Sequence, residues 1–81
     1  MPYISAKARH SLVEGRFPTT PGELNYTFTE AILTYMAVKG QSYSTFNDIL
    51  GAVEGAKAEF YRRVVVPYEE IKRKENGDVY P

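Results

Sequence analysis

Between Pro21 and Lys39 the chain carries apolar residues on two sides of one helix, and this limits its folds more than any other feature. At about 100° per residue, Leu24, Phe28, Ala31, Ile32, Tyr35 and Val38 fall on one stripe. Tyr26, Leu33 and Ala37 lie nearly opposite, with Met36 at the edge. A helix that is apolar on two sides is buried on two sides. A chain of 81 residues has one other long helix to offer, so the second side calls for another copy. Short domains also leave much of their surface exposed when folded alone, which points the same way.

The ends of this helix are marked by their chemistry. Thr20-Pro-Gly-Glu23 reads as a capping box, the threonine oxygen accepting from the N3 amide and Glu23 reaching back, with Pro21 at N1. Gly40 supplies the left-handed residue that closes many helices. Upstream, Ser5 is placed to cap a short helix over about residues 5–12. Residues 15–20 then form a linker with Phe17 as its anchor to the core. Met1 to Ile4 reads as an extended lead-in, and Tyr3 and Ile4 share a strand preference with Val79 and Tyr80, which allows the termini to pair as two strands.

Ser44 is a natural N-cap for a second long helix over residues 44–66. One arc of that helix holds Phe46, Ile49, Leu50, Val53, Phe60 and Val64, a core stripe. A second holds Asn47, Gly51, Glu54, Gly55, Ala58, Tyr61 and Arg62, small and polar together. A third holds Asp48, Ala52, Ala56, Glu59 and Arg63, with Glu59 and Arg63 in the favourable i,i+4 order. Glycine inside a helix costs about 0.8 to 1 kcal/mol relative to alanine, so Gly51 and Gly55 imply close approach of another helix or a ligand. Pro67 removes a helical hydrogen bond and either kinks this helix or opens a new one over residues 67–75, which Asn76-Gly77 ends. The predicted fold is all-α: a single domain over residues 1–81, built as a helical hairpin with a short N-terminal helix and a kinked C-terminal extension. It assembles as a homo-oligomer through the second side of residues 21–39 and the small face of the long helix.

Ten basic and ten acidic side chains cancel, which argues against holding long nucleic acid by phosphate neutralisation. A small anionic ligand needs only two or three local cations. There are no cysteines, hence no disulfide and no thiolate metal site. No apolar run reaches the roughly 18 residues of a membrane span, and the N-terminus has no apolar signal core. A cytoplasmic protein without a membrane partner is expected.

Catalytic chemistry finds no footing. His10 is the only histidine, and no metal-binding, Walker or nucleophile-elbow motif accompanies it. Glu54 and Glu59 stand about 140° apart around a helix, which is wrong for an acid–base pair on one bond. No enzyme, metal or cofactor is expected. Tyr61, Arg62 and Arg63 with Lys57 form the best grouping of aromatic and cation: arginine forks bind phosphate and rings stack on bases. The bland reading is that both arginines pair with Glu59 on a solvated face. In the binding reading, Lys57, Arg62 and Arg63 meet phosphate, Tyr61 or Tyr26 stacks, and Asn25 or Asn47 reads polar edges.

Pro21-Gly-Glu-Leu-Asn-Tyr26, Glu54-Gly-Ala-Lys-Ala-Glu-Phe-Tyr-Arg-Arg63, Pro67-Tyr-Glu and Asn76-Gly-Asp-Val-Tyr80 resemble a family of small uncharacterised proteins of phages, prophages and some prokaryotic genomes. Gly55 stands where that family often carries a larger residue. The resemblance implies a non-catalytic phage protein that acts by binding, such as a sponge sequestering a cyclic oligonucleotide or ADP-ribose derivative between subunits. The alternative is an oligomeric accessory protein that binds a host or phage protein and no small molecule.

Overall fold

A computed structural model describes residues 4–80, and every regular element in it is helical. In chain order these are α1 (Ala6–Val13), α2 (Pro21–Lys39), α3 (Tyr43–Phe60), a π-helical segment (Tyr61–Val65) and α4 (Val66–Asn76). The all-α expectation holds, and none of the helices is long and apolar enough to cross a membrane. The chain divides into two compact units, Met1–Phe46 and Asn47–Pro81.

In the first unit α1 packs on α2. The Ser5 hydroxyl accepts from the Ala8 amide at 3.1 Å and opens α1, while the Thr20 hydroxyl accepts from the Glu23 amide at 3.1 Å and opens α2. The returning arm of the capping box goes elsewhere than expected. Glu23 accepts from the Thr19 amide at 3.0 Å and from the Arg16 guanidinium at 3.0 Å. Arg16 in turn donates to the Ser11 hydroxyl at 2.8 Å, tying the last turn of α1 to the first turn of α2. Phe17 does not anchor the linker: it is 86% exposed, and the Arg16–Glu23 clasp takes that role.

The clasp gives a pH dependence. The Arg16 guanidinium, with the Thr19 amide, lowers the Glu23 carboxyl from its ordinary 4.5 to about 2. A carboxyl lowered on folding stabilises the folded form above its unfolded pKa and loses that contribution as pH falls toward the folded one. Hydrogen-exchange protection of α1 should therefore decline between about pH 4.5 and 2. Glu23→Gln should flatten that decline and leave α1 less protected than wild type at neutral pH. An unchanged acid profile in the variant would remove Glu23 as the cause.

Gly40, at φ +88°, ends α2 by donating its amide to Met36. The cap of the next helix is displaced from expectation. Ser42, not Ser44, begins α3: its hydroxyl accepts from the Thr45 amide at 3.1 Å and its carbonyl accepts from the Phe46 amide at 3.0 Å. Either serine satisfies the capping rule, and the helix takes the earlier one, which brings Tyr43 into its first turn and its ring edge-on to Phe46.

In the second unit the backbone stays helical across Pro67 with no break, through Val65 and Val66. The Val66 amide reaches back to the Tyr61 carbonyl, a five-residue step in place of four. A π turn holds one residue more than an α turn, and this insertion accommodates a ring that carries no amide hydrogen and crowds the preceding turn. Gly77, at φ +86°, closes α4 with its amide on Arg73. Ile4, Val79 and Tyr80 are not in a strand. Tyr3, the other residue of the expected pairing, lies outside the described residues.

No hydrophobic side chain among the described residues is buried, and Thr45 is the one buried residue. On α2, Tyr26, Ile32 and Met36 are half-buried, whereas Leu24, Phe28, Leu33 and Val38 are exposed. On α3, Phe46, Leu50, Val53 and Phe60 are exposed and Ile49 half-buried.

Candidate functional site

Two groupings of side chains stand out, one in each unit. In the first, Leu12 and Val13 of α1 and Tyr26, Glu30, Tyr35 and Val38 of α2 line an open, mostly apolar groove of about 580 Å³. Its polar corner is the Tyr26 hydroxyl, which donates to Glu30 one helical turn on. That hydrogen bond to a carboxylate raises the phenol pKa, because a tyrosinate would forfeit the donor and repel its partner. Tyr26 is thus held neutral and oriented. Asn25, one step around α2, is exposed, and its carbonyl accepts from the Thr29 hydroxyl.

In the second unit, Lys57, Tyr61, Arg62 and Arg63 occupy the end of α3 and the π segment. Glu59 accepts from Arg62 at 2.5 Å and from Arg63 at 2.8 Å, and Lys57 stands 3.8 Å from Glu54. Three cations against two carboxylates leave one net positive charge. All five side chains are more than half exposed, and exposed ion pairs are weak, so a doubly bonded phosphate could exchange for Glu59 on either arginine. Asn47 is ten residues before Lys57 on the same helix, about 15 Å along its axis. It does not share one small-molecule contact surface with the arginines of its own chain. Asn25 and Tyr26 belong to the first unit and the other five to the second.

Both arginines bind Glu59, as the bland sequence reading has it. Sequence inspection did not single out the groove, whose signal is faint: Glu30 follows Tyr26 at i+4, and Leu12 and Val13 end a helix too short to show a periodic stripe. His10 is on the surface and pairs with Glu14 at 3.0 Å. Among the described residues no three His, Asp or Glu side chains group as a metal site requires.

A family described as Domain of unknown function (DUF6899) matches residues 1–79. The chain belongs to that family. No curated protein and no solved structure matches it. The match to DUF6899 takes in both units, and so both the groove and the π segment lie within the family's domain.

Proposed function

We propose that this chain is a non-catalytic binding protein whose working form is a homo-oligomer. The observation that carries this is the lack of any buried hydrophobic side chain among the described residues. The family resemblance supports a phage or prophage protein at work in the host cytoplasm. Its ligand on this reading is a nucleotide-type host signal, a cyclic oligonucleotide or ADP-ribose derivative, held where subunits meet. Lys57, Arg62 and Arg63 face phosphate and Tyr61 stacks, with Tyr26, Asn25 and Asn47 contributed by other copies.

Thermal melting with a panel of cyclic dinucleotides and ADP-ribose derivatives tests the ligand. A ligand at 100 times its Kd adds about 2.7 kcal/mol by mass action, a rise of roughly 10 °C or more for a domain of this size. Arg62→Ala should abolish that rise and leave the oligomer mass unchanged. The accessory-protein reading rests on the exposed apolar surface and on the occupation of both arginines by Glu59. A flat panel with specific capture of one host or phage protein would replace the nucleotide reading with it.

A further inference from the structure

Glu59 reaches both arginines of the π segment, with a different oxygen for each. Its Oε1 accepts from Nη2 of Arg62 at 2.5 Å and its Oε2 accepts from Nε of Arg63 at 2.8 Å. Helix spacing brings this about, because side chains three and four residues ahead lie on one face. Two guanidiniums are thus gathered around a single anionic group. A phosphate presents the same pattern, two unesterified oxygens on one centre, with more charge to offer. The neighbouring cation Lys57 is already offset by Glu54 at 3.8 Å. With Glu59 turned away, the two arginines present two positive charges in one place.

We infer that Glu59 is a built-in competitor occupying the phosphate position of this site, and that the group able to displace it is a pyrophosphate, as on a nucleoside diphosphate, and not a phosphodiester. The inference rests on the nucleotide-binding reading above and names the ligand's charged group and the residue that opposes it. Charge decides the class. A phosphodiester carries one negative charge, the same as the carboxylate it must displace, so the exchange gains little. In a cyclic dinucleotide the two diesters are held apart by the ring, and only one can reach arginines gathered on one carboxylate. A pyrophosphate carries at least two charges on adjacent phosphorus centres, enough to meet both guanidiniums together. The exchange is open to it. Glu59, Arg62 and Arg63 are all more than half exposed, so the carboxylate can turn into water, and exposed pairs hold it weakly. Tyr61 begins the same π segment and is half exposed, which leaves a ring beside the arginines for the attached base.

Titration calorimetry of the full chain at fixed ionic strength tests this, with inorganic pyrophosphate, ADP-ribose and a cyclic dinucleotide as probes. Glu59→Gln should tighten binding of pyrophosphate and ADP-ribose by about tenfold, since two exposed pairs no longer compete. Glu54→Gln changes the net charge by the same amount but frees neither arginine, and should tighten it by less than about threefold. The cyclic dinucleotide should bind the wild-type chain about tenfold more weakly than ADP-ribose. Equal tightening in the two variants, or none in Glu59→Gln, would overturn the competitor role and leave the nucleotide reading standing. A cyclic dinucleotide bound as tightly as ADP-ribose would overturn the pyrophosphate assignment alone. If neither the wild-type chain nor Glu59→Gln binds any of the three probes, the nucleotide reading falls with both.

Discussion

Diluting the protein a hundredfold should lower its melting temperature by roughly 5 to 10 °C. The size follows from mass action: a folded state that exists as a dimer loses RT ln 100, about 2.7 kcal/mol per dimer or about 1.4 kcal/mol per chain, on that dilution. Each kcal/mol moves the midpoint of a domain this small by about 4–8 °C. A monomer with its own core would show no such shift. The expectation comes from burial, since among the described residues no apolar side chain is buried, Ile32, Met36, Ile49 and Val65 being half-buried. Burial stabilises in proportion to area removed from water, and on the proposed homo-oligomer reading a second copy is what removes it. Circular dichroism melts over that concentration range are sufficient, and superimposable curves would contradict the account.

Replacing Gly51 and Gly55 together by alanine should raise stability by about 2 kcal/mol, roughly 8 to 16 °C in melting temperature. Both glycines lie inside α3, neither has a positive φ, and the added methyl group meets open space at each. Alanine therefore gains the helix propensity that glycine lacks, with no clash in return. The outcome bears on assembly, because small residues one turn apart on a helix are also what close helix packing uses. A loss of stability in the double variant, with weakened self-association, would mean that the small face of α3 is an interface.

Much of this fold is legible in the sequence, for local reasons. The start of α2 follows from Thr20 and Pro21 and its end from Gly40, because capping is decided by a few neighbouring atoms. The Glu59–Arg63 pair follows from helix spacing alone. Three features were not legible. The Arg16 clasp depends on a linker folding back so that residues seven apart meet, and no periodicity reports that. The choice of Ser42 over Ser44 is between two adequate caps. The π segment is the response of a continuous helix to Pro67, and a reading at 100° per residue offers only a kink or a new start. The candidate site was legible in part. The sequence groups Lys57, Tyr61, Arg62 and Arg63, and the structure keeps them together but engages both arginines with one carboxylate. Asn25, Tyr26 and Asn47 were joined to that group by chemistry alone.

The central claim is that the folded form of this chain contains more than one copy. Its most direct test is the mass of the native protein in solution at micromolar concentration, by sedimentation or light scattering, with helix content measured on the same sample. A well-folded helical species at twice the chain mass or more is the predicted result. A stable, fully helical species at the mass of a single chain would contradict it.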